Sequence, residues 1–537
     1  MSVLRPCSTR RSAYFVAVAL AAASTSACVV IFRGVRSEAV STSAPPDTIA
    51  SSVKVHLSDG STILYPSGVV VAGDSIRGIG NRYDLLGEHG SPVSGPIALD
   101  SIAAMESFTA TTNGPASAIV SLLGTGVAVV GTVALLKAAF GSCPTVYSDS
   151  AGQSLLEAET FSYSIAPLFE QRDVDLLHAQ PDSNGTLSLE VRNEALETHY
   201  INHLELMEVA HAPDEEVLPA PGNQLLAVSR FVAPSRVRDR AGRDLLWLTE
   251  SGTARAPFRT DSLTLASAGS SDFDDYIDID LPAPRGADSV AIVLDMRNSL
   301  LNTVLLYDMM LGRQGARAVD WIGKDLADIG DVIPLGRWYT RTMGMHVSIF
   351  QDGSYEQVGY VPDAGPIAWH RLAVMVPVKG DTIHAHLSFV ADQWRIRHIA
   401  VAVAVRHVTP RRIAPTSVTT ADGTSDSAAL HGVRDSDTDY LMTSPGQRFE
   451  IRFAAGRTAG TARTFLLASQ GYYIEWVRGA WIREASTPVP FVPGDSVLAQ
   501  TLEHWRREGP EMEVRFASTR IPVRSLPCAL LHHSCSP

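Results

Sequence analysis

Apolar and polar residues alternate in short runs along most of this chain. Val53-Lys54-Val55-His56-Leu57 alternates, Asp59-Gly60 supplies a hairpin turn, and Thr62-Ile63-Leu64-Tyr65 resumes the strand. The rhythm continues through 68–71, 75–78 and 97–102, which predicts a small β-barrel or β-sandwich over 53–112. Further strands are predicted at 186–191, 200–209, 276–281, 290–294, 347–350, 357–361, 372–376, 382–389 and 396–405. Two stretches break the period. Residues 300–311 form a strongly apolar helix and 318–329 an amphipathic one, together a helical hairpin inserted among strands. A helix is also expected at 497–508.

Residues 116–136 carry no charge. Twenty-one helical residues span roughly 31 Å at the usual rise, enough to cross a bilayer core. The small residues Gly124, Gly126, Ala128 and Gly131 also suit close helix pairing. The segment 116–139 is therefore expected to be a hydrophobic helix that spans the membrane or lies against it.

The N-terminus has the order of an export signal: Arg5, Arg10 and Arg11, an apolar stretch over 13–23, then small residues before Cys28. Thr25-Ser26-Ala27-Cys28 resembles a bacterial lipobox, with Thr25 where a Leu is usual. The resemblance implies acylation of Cys28; a cleaved signal without lipid and an uncleaved anchor are the alternatives.

The fold class expected is mainly β and multidomain: a small N-terminal β-barrel or sandwich, a hydrophobic helix, then β-sandwich-like domains with an inserted helical hairpin. The segments are 1–28 as signal, 29–52 as linker, 53–112 and 116–139 as above, and 142–295 as a β-rich domain. The hairpin insertion follows at 296–333, a β-sandwich-like domain at 334–408, a polar linker at 409–443, and an α+β segment at 444–537.

Charge narrows the partners. Net charge is -13 over 537 residues, and an acidic chain without a basic cluster is no nucleic-acid binder. Cys528 and Cys535 are spaced to close a small disulfide loop in an oxidising compartment, which would leave Cys143 as a buried thiol.

Three runs carry a resemblance: Ser142-Cys143-Pro144-Thr145-Val146-Tyr147, the acidic Leu156-Glu157-Ala158-Glu159, and 191–200 (VRNEALETHY). Together they resemble uncharacterised bacterial envelope lipoproteins, and they are similar to β-rich regions that accompany FG-GAP repeats in secreted proteins. The stretch 359–405, with Gly365-Pro366 and Trp394-Arg395-Ile396, resembles the tail of that arrangement. The resemblance implies an envelope location and a binding or scaffold role towards protein or glycan. It implies no activity, and no FG-GAP calcium repeat is present here.

No GxSxG elbow, HExxH helix or phosphate-binding loop occurs, and no cofactor is expected. The weak metal candidates are Asp272, Asp274 and Asp275, with Asp278 and Asp280 read as the solvated face of a strand, and His384 with His386, two apart on one strand face. The aromatic run Tyr472, Tyr473, Trp476 and Trp481 is either a core strand or a flat binding surface for sugars or proteins. Trp338, Tyr339 and Trp369 give a weaker signal of the same kind. The functional expectation is a membrane-anchored, mostly extracytoplasmic envelope protein that touches membrane lipid and binds without catalysis. The alternative is an envelope hydrolase, metal-assisted through the histidines and the Asp272 cluster.

Overall fold

A computed structural model describes residues 32–42, 44–57, 61–83, 91–93, 95–113, 143–149, 154–195, 197–250, 255–269, 271–318, 321, 329–437, 439–443, 447–457, 461–475 and 489–519. The chain is mainly β and is built from several antiparallel sheets. Cys28, the segment 116–139, Trp476, Trp481, Cys528 and Cys535 lie outside the described residues. Among the described residues no barrel closes, and no helix is long and apolar enough to cross a membrane.

The N-terminal strands form two sheets. One orders Phe32–Val40, Ile102–Asn113, Ser52–Leu57, Thr62–Tyr65, Gly80–Tyr83 and Ser91–Val93; the other orders Thr48–Ile49, Val69–Ala72, Ser75–Arg77 and Ile97–Ala98. The alternation read from the sequence places Val53, Val55, Ile63, Tyr65 and Ile76 in a shared core.

After residue 143 one sandwich is nested inside another. The outer sandwich has a sheet of Ser154–Glu159, Thr145–Asp149, Thr186–Arg192, Arg448–Ala454 and Pro415–Thr420. Its facing sheet runs Gln171–Leu177, Ala462–Glu475, Glu197–His211 and Arg411–Ile413, with Leu441–Thr443 beside Glu197–His211. Leu187, Leu189, Val191 and Ile451 of the first sheet meet Leu204, Leu206, Phe465 and Leu467 of the second. The inner sandwich lies between His211 and Arg411 in the sequence. One sheet orders Glu216–Ala220, Gln224–Val232, Trp394–His407, Ser289–Asn298 and His370–Pro377. The other orders Arg236–Asp239, Asp274–Pro282, Thr382–Val390, Met345–Gln351 and Ser354–Val361. Their core joins Ile277, Ile279 and Leu387 to Ile292, Leu294, Ile396 and Ile399. Val174, Met207, Leu466 and Ala468 of the outer sandwich pack on Val217, Leu225 and Ala227 of the inner one, which joins the two.

The nesting redraws the expected segments. The stretch 142–295 divides between both sandwiches, because its later strands belong to the inner one, where Gln224–Val232 and Ser289–Asn298 pair with Trp394–His407 and Asp274–Pro282 pairs with Thr382–Val390. The expected linker 409–443 carries the strands Arg411–Ile413, Pro415–Thr420 and Leu441–Thr443 and the helix Ser427–Arg434. It reads as polar because Pro415–Thr420 is an edge strand that buries only Pro415 and Val418. The helix starts where Asp426 accepts a hydrogen bond from Ala429 N at 2.9 Å.

The apolar helix is present as Leu301–Val304 running into a wider π-type stretch, Leu305–Leu311. Its companion in the described residues is Ile329–Thr342, later than the expected 318–329, of which 319–320 and 322–328 lie outside the described residues. The C-terminal helix, Asp495–Thr519, joins them. Leu502 and Trp505 of that helix share a core with Tyr307, Tyr339, Tyr472 and Tyr473. This helical layer also reaches the inner sandwich through polar bonds. Asp392 accepts from Trp505 Nε1 at 2.9 Å, and Arg395 bridges Asp392 at 2.8 Å and Glu513 at 2.7 Å.

Candidate functional site: a cavity where the two sandwiches meet

The sequence-marked residues go to several places. Tyr472 and Tyr473 are 0% exposed, so they are core residues and not a binding surface. Tyr472 stacks on Tyr200 at 4.6 Å, and the Tyr473 hydroxyl donates to Ser162 O at 2.9 Å. Both follow from their place on a central strand buried on each face.

The carboxylates Asp272, Asp274 and Asp275 do not converge. Asp272 is taken by the Arg240 guanidinium, which holds its carboxyl below the usual range. Asp275 points inward, 1% exposed, and burial pushes its carboxyl up. His384 and His386 lie on the outer face of their sheet, each facing a carboxylate across the strand pair. His384 Nδ1 meets Asp280 Oδ1 at 2.8 Å, and His386 Nδ1 meets Asp278 Oδ1 at 2.7 Å. The group that does bring three ligand-type side chains within 4.8 Å, among the described residues, is the exposed set His431, Asp437 and Asp439. Cys143 is buried, and its thiol lies 3.5 Å from Glu159 Oε1.

The strongest candidate site was not marked in advance. A cavity of about 270 Å³ opens where strand Gln171–Leu177 of the outer sandwich faces the end of strand Ser354–Val361, the loop 362–364 and strand His370–Pro377 of the inner one. Strand geometry puts Asp173 and Asp175 on one face of the first element. The opposing wall is held by Glu159, which reaches across from the outer sandwich. Its Oε2 accepts from Ile367 N at 2.8 Å and Ala368 N at 3.1 Å. Gly365 makes this approach feasible: its φ is 74°, and a Cβ there would lie 2.5 Å from the Glu159 carboxyl carbon. The loop so fixed delivers Trp369 and His370 to the cavity.

Each polar group on the wall has a defined role. His370 Nδ1 pairs with Asp175 Oδ1 at 3.2 Å, and the imidazole is 15% exposed. Burial alone would lower its pKa, but Asp175, Asp173 and Glu159 outweigh that and raise it to about 9. Asp173 accepts from Phe161 N and Val174 N, each at 2.9 Å. Burial, and then the charge of Asp175, push it up to about 7. Burial likewise lifts Glu159 to about 7 and Asp363 to about 6. Arg371 is bidentate to Glu216 at 2.5 and 2.9 Å. Arg397 pairs with Asp295 at 2.8 Å and lies 4.5 Å from the Trp369 ring centre, with Arg297 at 4.9 Å. Three buried atoms of the wall have no partner: Asp175 Oδ2, Asp295 Oδ1 and His370 Nε2. Among the described residues no serine, threonine, cysteine or lysine lines the cavity. The wall therefore offers fixed donors and acceptors and the aromatic rings of Tyr163, Tyr360 and Trp369.

Of these residues the sequence pattern marks Trp369, Gly365 and Glu157-Ala158-Glu159, and it leaves Asp173, Asp175, Asp295 and His370 unmarked. The available signal was the charged alternation in Gln171-Arg172-Asp173-Val174-Asp175 and the cluster Trp369-His370-Arg371 at a strand start.

Comparison with known proteins adds no family: no family model and no curated protein matches the chain. Among solved structures, a GH31 alpha-xylosidase from Xanthomonas citri aligns over 81% of this chain at 8% identity and a TM-score of 0.14. The chain spans 38% of that enzyme's length. The Sulfolobus turreted icosahedral virus structure aligns over 62% of this chain and 89% of its own, at 8% identity and a TM-score of 0.12.

Proposed function

We propose that this chain is an exported envelope protein, held at the membrane through Cys28, that binds a protein or glycan partner without catalysing a reaction. The observation that carries the binding role is the cavity between the sandwiches, with its preorganised polar wall. Its volume suits one small group, a single sugar or side chain of the partner, rather than an extended polymer. The location rests on the order of Arg5, Arg10, Arg11, the apolar stretch and Cys28, and on the resemblance at 142–147 and 191–200.

The hydrolase reading has less support. His384 and His386 each engage a carboxylate across the strands, and Asp272 is taken by Arg240.

Two experiments test the proposal. Cys28→Ser should move the protein from the membrane fraction to the soluble envelope fraction, with loss of acyl mass from the mature N-terminus; unchanged membrane retention refutes the anchor. Glycan and peptide arrays probed with the full chain should give hits that Trp369→Ala weakens at least tenfold. Hits indifferent to that change would place binding elsewhere.

A further inference from the structure

We propose that the cavity between the sandwiches selects a small organic cation: a primary ammonium on a polyhydroxylated skeleton the size of an amino sugar. This rests on the cavity being a recognition pocket.

Charge on the wall is the first argument. Five carboxylates line the cavity: Glu157, Asp173, Asp175, Asp295 and Asp363. Every cation there is already engaged. His178 pairs with Glu157, His370 with Asp175 and Arg397 with Asp295, while Arg172 and Arg371 are neutralised by Glu205 and Glu216 from outside the lining. Asp173 and Asp363 form no ion pair among the described residues. Asp173 accepts backbone N–H groups from Phe161 and Val174, and Asp363 accepts from Gly365 N, Asn302 and Tyr339. Above about pH 7, where Asp173 and Asp363 are ionised, the wall therefore carries more negative charge than its own cations balance. The raised pKa values of Asp173, Glu159, Asp363 and His370 accord with burial in such a field.

Unfilled hydrogen bonds are the second argument. Asp175 and Asp295 have side chains 4% and 7% exposed, and each leaves one oxygen without a partner on the cavity wall. A buried acceptor left unpaired is costly, and an ammonium brings three donors. His370 Nε2 is the complementary vacancy: with Nδ1 engaged by Asp175, a protonated ring offers Nε2–H as a donor. A bare amine would leave it unused, whereas a hydroxyl oxygen on the same ligand would accept it. Trp369, Tyr163 and Tyr360 supply aromatic surface on the lining.

The test compares near-isosteric ligands. The full chain is titrated calorimetrically with glucosamine, glucose and N-acetylglucosamine at about pH 7.5, where Asp173 and Asp363 are mostly ionised. Glucosamine should bind at least tenfold tighter than either neutral sugar. Asp173→Asn and Asp175→Asn should each remove most of that preference, and Ala220→Phe, which fills the cavity from its partly exposed rim, should abolish binding while the protein still melts cooperatively. Arg240→Ala, remote from the lining, should change nothing. Equal or tighter binding of glucose, lost in Ala220→Phe, would overturn the charge selection and leave the recognition pocket standing. If none of the three sugars binds, the amino-sugar selection falls, and the recognition pocket is then decided by the arrays and Trp369→Ala.

Discussion

The pairing of His370 with Asp175 makes a quantitative prediction about stability and pH. The imidazole lies at about 9 in the folded protein against 6.5 ordinarily. That difference corresponds to about 3 kcal/mol favouring the fold when the ring is charged in both states. Because the folded value is the higher one, the contribution is complete below pH 6.5 and fades as pH rises through about 9. The raised carboxylates act in the same direction. Asp173 and Glu159 keep their protons to about 7 in the fold but lose them at ordinary carboxylate values when unfolded. The folded state thus binds more protons across that window, and stability again falls with rising pH. Replacing Asp175 by Asn removes the main support of the imidazolium while keeping the shape of the side chain. Urea unfolding followed by tryptophan fluorescence from pH 5 to pH 10 should show wild type losing stability across pH 6.5 to 9. Asp175→Asn should be weaker by about 3 kcal/mol at pH 6 and close to wild type at pH 10. A constant difference at both ends would refute the linkage and reduce the pair to a neutral hydrogen bond.

Tyr472→Ala should cost about 3–5 kcal/mol in urea unfolding, because the ring is buried against Tyr200; a neutral result would contradict its core position. Arg395→Met should cost about 1–3 kcal/mol, because Asp392 keeps Arg259 at 3.2 Å and Trp505 as partners, and adding Asp392→Asn should recover part of it, both read by thermal melting. Gly365→Ala should cost about 1–3 kcal/mol or more, from positive φ and collision with Glu159, and should weaken cavity binding in the titrations above. His386→Ala should change stability by less than about 1 kcal/mol, since its pair with Asp278 sits on the solvent face of the sheet, and should leave the metal content of purified protein unchanged.

Local elements were legible where one face is buried. Thr186–Arg192 and Asp274–Pro282 alternate because each strand has a core side and a wetter side, so period two appears directly in the residues. The same pattern read Asp278 and Asp280 as a solvated face. Nesting was not legible. Glu197–His211 pairs with Ala462–Glu475 across some 250 positions, and hydrophobic period carries no information about which strand is the neighbour. Tyr472 and Tyr473 were ambiguous for a related reason: a central strand buried on both faces loses its alternation, and a run of aromatics then resembles a surface platform. The cavity was hidden by sequence distance, with Asp175 and His370 nearly 200 residues apart. Short, polar strands such as Pro415–Thr420 carry too few apolar positions to separate an edge strand from a linker.

The insertion of one sandwich within another also orders assembly in time. Every strand of the inner sandwich lies between Glu216 and His407, so a chain emerging N-terminus first holds all the material for it early. The outer sandwich cannot close then, because Glu197–His211 lacks its long partner until Glu475 has emerged. During that interval a fifteen-residue strand stands with a bare edge, open to pairing with a neighbouring chain. The pocket is consequently completed late, and an occupied pocket would report that both halves of the outer sandwich had found each other.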